Sequence, residues 1–152
     1  MDEVVVWTDG ACTGNPGPGG WAAILVAPDG GAPVELSGGD PHTTNNRMEY
    51  TAALEALRAL PDGSTACIVT DSRLMLDSMT KWIAGWKRKG WKTAAGDPVR
   101  NQDLLRALDV ELARHDARWH WVRGHETGSA NAHKALNDRA DRLAVAAARA
   151  AA

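Results

Sequence analysis

The sequence predicts an α/β fold on a mixed five-stranded sheet flanked by helices, and three observations carry that prediction. Val4-Val5-Val6-Trp7-Thr8-Asp9-Gly10 is a β-branched and aromatic run that stops at a carboxylate and a glycine. Ala66-Cys67-Ile68-Val69-Thr70-Asp71-Ser72 repeats the device. Between them, Arg47 to Leu60 is rich in Ala and Leu and reads as a helix, so the two strands should run parallel through a right-handed crossover. Two buried strands each ending in Asp bring two negative charges to one rim of the sheet. Like charges there repel and raise each other's pKa, an arrangement best explained by a cation between them. Ligands of such sheets bind beyond the carboxyl ends of parallel strands.

In chain order, strand 1 ends at Asp9. The segment Gly10 to Gly20, with its glycines and two prolines, reads as a stiff loop: either a plain hairpin connection or a surface against which a ligand can lie. Cys12 falls in that loop. Trp21 to Val26 is strand 2, and Pro33 to Ser37 is strand 3, an edge because Pro33 cannot donate to a ladder. These three form an antiparallel meander.

Thr43-Thr44-Asn45-Asn46 supplies N-cap residues for the first helix, in which Glu49 starts a row shared with Ala53, Ala56 and Leu60. Two readings of Glu49 stay open: the capping box Asn46-x-x-Glu49, or a ligand facing the sheet. Ser72 can cap a short helix over 73–80. Lys81 to Lys92 then interleaves Trp82, Trp86 and Trp91 with five cations. Stacking faces and phosphate-binding charges are the ingredients of a nucleic-acid contact, and a small helical satellite core is the alternative. Gln102 to Ala113 is an amphipathic helix, and Arg118 to Val122 is strand 5 with Trp119 and Trp121 on one side and His120 on the other. His125, on the loop Arg123 to Asn131, is an acid–base candidate or an inert surface histidine, and His133 shares that ambiguity. The last helix, about Ala135 to Ala150, has an apolar stripe at Leu136, Ala140, Leu143, Ala144 and Ala147. Asp141 borders that stripe, whereas Asp138 points away and should be solvated.

Composition narrows the class. The chain has 152 residues, which fits a single domain over 1–152 with a sizeable core. No apolar run approaches a membrane span, no signal peptide opens the chain, and two cysteines make neither a disulfide framework nor a zinc quartet. A cytoplasmic protein is expected. The net charge of −2 hides an asymmetry: residues 1–80 hold eleven acids and three bases, whereas 81–100 hold six bases and one acid. That local basic block predicts docking to a polyanion.

Taken together, the motifs resemble the type 1 ribonuclease H family, the ribonucleases HI of bacteria. The matches are Thr8-Asp9-Gly10 with Gly14-Asn15-Pro16-Gly17-Pro18-Gly19-Gly20, then Thr44-Asn45-Asn46-Arg47-Met48-Glu49, then Thr70-Asp71-Ser72. Trp82 to Trp91 resembles the family's basic protrusion (about 81–100 here), Trp121 to His125 its histidine loop, and Asn137 to Asp141 its last acidic helix. The resemblance implies strand order 3-2-1-4-5 and divalent-metal-dependent endonucleolytic cleavage of the RNA strand of RNA–DNA hybrids. It implies the catalytic carboxylates Asp9, Glu49, Asp71 and Asp141, which are also the metal ligands, and the catalytic-loop histidine His125. It further implies 2′-hydroxyl contacts from Cys12, Asn15, Asn45, Asn46 and Glu49. The DNA strand would lie against Trp82 and Trp86, with a phosphate near Thr44 and Asn101, and Lys87, Arg88 and Lys89 would add charge.

Two departures stand out: a longer segment between His125 and Asn137 than in the best-known bacterial members, and Arg73 where a polar amide is common. Two Mg²⁺ ions (Mn²⁺ as a substitute) roughly 4 Å apart are the expected cofactors, with Asp9 bridging both. Asp71 and Asp141 would complete the nucleophile-side ion and Glu49 the leaving-group-side ion. A monomer is expected. The competing functions are a DNA-directed nuclease or recombinase of the same fold, and a non-catalytic hybrid-binding module.

Overall fold

The computed structural model describes residues 3–122 and 132–152, the backbone alone for 132–134. Its sheet has the order β3-β2-β1-β4-β5, from β1 (Glu3–Cys12), β2 (Gly17–Val26), β3 (Val34–Thr43), β4 (Thr65–Thr70) and β5 (Asp116–Trp121). β1, β2 and β3 are antiparallel neighbours, while β4 runs parallel to β1 and β5 parallel to β4. The mixed sheet and its order are as expected.

Alternation along β1 sorts its side chains between two helical layers. Val6 faces α1 (Asn45–Ala59) and α4 (Gln102–Arg114), in a core with Leu54, Leu57, Ile68, Leu105 and Leu108. Trp7 faces the opposite layer, α5 (Ala132–Ala151), in a smaller cluster with Ile24, Val69, Val122 and Ala140. In α5 the buried line is Ala140, Ala144 and Ala148, an i, i+4 series.

Several boundaries differ from the sequence reading. The glycine-rich stretch is strand at both ends rather than loop, so β1 continues past Asp9 and Cys12 closes it, opposite Gly19. Packing explains this: a Cβ on Gly20 would lie 2.3 Å from the Ala144 carbonyl oxygen and 2.4 Å from the Ala148 nitrogen. Glycine here admits the α5 backbone to the face of the sheet. β3 likewise runs on through Gly38-Gly39-Asp40-Pro41 to Thr43, because pairing with β2 overrides turn-like composition. The expected 73–80 helix is α2 (Arg73–Asp77) running into a π-helical turn over Ser78–Trp82, and α3 (Ile83–Arg88) follows it. Ser72 caps α2 as expected, its Oγ accepting from the Met75 N–H at 3.1 Å. α5 starts at Ala132, earlier than Ala135. Asp138 is half-buried and makes an interaction, so it is not the solvated residue expected. No helix among the described residues is long and apolar enough to cross a membrane.

The contrast between two glycines tests this packing. Gly20→Ala is expected to destabilise by about 1–3 kcal/mol, since helix backbone would have to move. Gly85→Ala, inside α3 with nothing closer than 3.8 Å to the new methyl, should stabilise by about 0.5–1 kcal/mol. Chemical denaturation of the two variants measures both signs.

Candidate active site

Strand register places the two aspartates. β1 pairs with β4 as Val6↔Ile68 and Trp7↔Val69, where the ladder ends. Asp9 and Asp71 each lie two residues beyond that last pair, so they come level where the strands part. The Thr8 hydroxyl donates to the Val69 carbonyl at 3.3 Å across the divergence, and the Thr70 hydroxyl oxygen accepts from the Ser72 N–H at 3.0 Å. Both threonines are buried.

Glu49 arrives from the α1 layer. A Cβ on Gly10 would sit 2.8 Å from the Glu49 nitrogen and 3.0 Å from Glu49 Oε1. The missing side chain at Gly10 is therefore what lets α1 bring this carboxylate over β1. The capping-box reading is corrected: Thr44 is the N-cap, its Oγ1 accepting from the Arg47 N–H at 3.2 Å, and Asn46 lies inside the helix. Glu49 is thereby left for the sheet side, 5% exposed, and its Oε1 has no hydrogen-bond partner among the described residues.

Asp9, Glu49 and Asp71 each offer a carboxylate oxygen, all within 4.8 Å of one another. Asp141, from α5, faces Asp9 within side-chain hydrogen-bonding reach. Asp9 thus meets each of the other three acids. Burial, then the Asp71 and Asp141 charges, push its carboxyl up to about 8, with the Gly10 N–H opposing at 2.9 Å. Burial, then Asp9 and Asp71, push Glu49 well above the usual carboxylate range. An oxygen-only donor set carrying this repulsion and an orphaned Oε1 fits a hard divalent cation.

The other expected contact residues are distributed around this centre. Cys12 Sγ is half-buried and donates toward backbone carbonyls, the nearest being Gly14 O at 2.8 Å. Asn15 and Asn45 are joined, the Asn45 N–H donating to Asn15 Oδ1 at 3.0 Å, and Asn46 is exposed. Asn46, Trp82, Trp86 and Asn101 border one cleft of about 370 Å³. The rings of Trp82 and Trp86 lie 5.8 Å apart at 50°, whereas Trp91 is buried, 8% exposed, in the main core. Lys87 pairs with Asp109 at 3.1 Å, and Arg88 and Lys89 are exposed. His125 lies outside the described residues.

Sequence reasoning missed several supporting contacts. The Trp121 indole N–H donates to the Asp71 carbonyl at 3.1 Å, and the Arg73 guanidinium stacks on that indole at 5.2 Å while lying 3.6 Å from Asp77. Arg73 fills its departing position as a cation on the wall beside Asp71. Arg47 binds across to α4, where Asp103 takes both its Nη atoms. No signal in one chain links positions so far apart.

Fold and site together define an α/β protein with a buried, oxygen-only acidic centre at the carboxyl ends of parallel strands. The RNase H family model matches residues 1–149. Ribonuclease H of Dinoroseobacter shibae is 51% identical over 147 residues, covering 95% of this chain and 90% of that relative. Ribonuclease HI of Pseudomonas aeruginosa is 51% identical over 143 residues, 94% of this chain and 91% of the relative. Among solved structures, LC9-RNase H1, described as a type 1 RNase H with the type 2 active-site motif, superposes with TM-score 0.82 at 33% identity. It matches 99% of this chain and 74% of its own. The chain belongs to the RNase H family.

The crowding has a pH signature. A carboxyl raised in the fold stabilises the protein below its unfolded pKa and loses that contribution as pH rises through the folded value. Without divalent ions, Asp9 should therefore cost stability as pH rises from about 4 to about 8. Asp9→Asn removes the titration, so its stability advantage over the wild type should widen across that window. Thermal unfolding in chelator at a series of pH values measures the gap.

Proposed function

We propose that this chain is an endoribonuclease that hydrolyses the RNA strand of RNA–DNA hybrids. The observation that carries the reading is the convergence of Asp9, Glu49 and Asp71 within 4.8 Å in a chain of the RNase H family. Asp9, Glu49, Asp71 and Asp141 would hold Mg²⁺, or Mn²⁺ in its place. Two such ions, when bound, neutralise charge on the phosphoryl oxygens and activate water as a nucleophile. The chain's own residues prepare that site: the β1–β4 register orients Asp9 and Asp71, Gly10 admits Glu49, and Asp141 closes the α5 side. His125 is assigned proton movement or product release, so its loss should slow turnover without abolishing it.

Substrate choice in this reading depends on both strands. Cys12, Asn15, Asn45, Asn46 and Glu49 face the RNA strand, whose 2′-hydroxyls distinguish it from DNA. Trp82 and Trp86 stack against the DNA strand, a phosphate is held near Thr44 and Asn101, and Lys87, Arg88 and Lys89 supply charge. Backbone contacts dominate, so sequence preference should be slight. The chain acts, in this reading, as a single-domain cytoplasmic monomer.

Incubating labelled RNA–DNA hybrid, duplex RNA and duplex DNA with the protein and Mg²⁺ separates the alternatives. Internal cuts in the RNA of the hybrid alone are expected. Cleavage of duplex DNA would favour a DNA-directed nuclease, and binding without cleavage a silent module. Asp9→Asn and Asp71→Asn should each abolish cleavage while hybrid binding persists. Replacing Lys87, Arg88 and Lys89 together with Gln should raise KM and leave kcat near the wild-type value in steady-state assays.

A further inference from the structure

The contact between Arg47 and Asn101 has no role in the account above. Arg47, half-buried on α1, sends Nη1 to Asn101 Oδ1 at 3.2 Å and to Asp103 Oδ1 at 3.0 Å, and Nη2 to Asp103 Oδ2 at 2.7 Å. A guanidinium has donors only, so the Asn101 atom facing it must be the amide oxygen. The amide is planar, and its NH₂ group therefore points away from Arg47.

The Asn101 side chain also does nothing for its own helix. The residue stands at the N-terminus of α4, where an asparagine oxygen ordinarily accepts from a first-turn N–H. Here it makes no side-chain cap, and its backbone is left-handed at φ 59°. Its oxygen is committed to Arg47 instead. The residue borders the cleft of about 370 Å³ together with Asn46, Thr93, Arg100, Trp82 and Trp86. Aromatic faces beside neutral and cationic donors suit a nucleic-acid backbone, with phosphate as the group that needs N–H donors. Arg47 itself is spent on Asp103 and is not the anion's direct partner.

We propose that Arg47 is a positioning residue for substrate: it turns the Asn101 amide so that its NH₂ group donates to a backbone phosphate of the hybrid strand lying in this cleft. The inference rests on the hybrid-cleaving function proposed above and adds the residue that sets one of its contacts. A donor-only side chain fixes the amide's orientation. Asp103, in turn, fixes the donor-only side chain.

Steady-state cleavage of a defined hybrid tests this with Asn101→Ala, Arg47→Met, the double variant and Arg47→Lys. Each single loss should raise KM about tenfold, the value of one hydrogen bond to a charged group, with kcat within about twofold. The double variant should be no worse than Asn101→Ala alone, and Arg47→Lys should recover part of the loss. Arg114→Gln is the stability control, because it breaks an ion-pair group with Asp62 and Glu111 at the other end of α4. It should lower Tm without moving KM. An Arg47→Met penalty undiminished in the Asn101→Ala background, or reproduced by Arg114→Gln, overturns the positioning role. A wild-type chain that cleaves hybrid while Asn101→Ala keeps a normal KM overturns this inference alone. A wild-type chain that leaves hybrid intact overturns the proposed function with it.

Discussion

Everything at the acidic centre follows from one constraint, the parallel register of β1 and β4. Pairing Trp7 with Val69 leaves Asp9 and Asp71 level as the strands separate. Apolar partners on both faces hold that register: Val6 and Ile68 under α1, Trp7 and Val69 under α5. Slipping by one residue would exchange the two faces of a strand buried on both sides. The core therefore holds the carboxylates together against their mutual repulsion. A group of like charges this close lowers the stability of the fold that contains it, and proteins keep such strain where it serves a ligand.

The two helical layers then add to the group from opposite sides. Glu49 crosses from the α1 side because Gly10 has no side chain in its path, and Asp141 approaches Asp9 from α5. α5 can lie close because Gly20 and Gly39 meet its backbone, where a Cβ on Gly39 would come within 2.8 Å of the Ala147 carbonyl oxygen. Glycines that read as loop are thus packing residues, and they set how near the fourth acid stands to the first. Next to Glu49 in α1, Tyr50 shares a buried hydrogen bond with Ser78 at 2.7 Å, which joins that helix to the turn leading to Trp82.

Much of this was legible in the chain because it is written locally. Twin Thr-Asp endings on apolar strands announce the centre, and the helix between them announces the parallel crossover. Glu49 was ambiguous for a physical reason: Asn46-x-x-Glu49 satisfies the spacing of a capping box, and only the backbone shows that Thr44 holds the cap. Strand ends were misjudged where Gly-Gly-Asp-Pro pairs in β3, since a partner strand outweighs local propensity. The basic, Trp-rich segment reads as a nucleic-acid contact or a satellite core, and the fold divides it: Trp91 turns inward at φ 65° while Trp82 stays 41% exposed. Long-range pairs such as Arg47 with Asp103 and Trp121 with the Asp71 carbonyl carry no periodicity and leave no trace in a single sequence.

The central claim is electrostatic: burial and the neighbouring acids raise the Asp9 carboxyl to about 8, so it holds a proton near neutral pH that a bound divalent cation would displace. Calorimetric titration of the protein with Mg²⁺ near pH 7, repeated in buffers of different ionisation enthalpy, counts such protons directly. Release of about one proton for each protein that binds metal is the expected result. Binding with no proton release would contradict the account, because it would mean that Asp9 was already ionised in the metal-free protein.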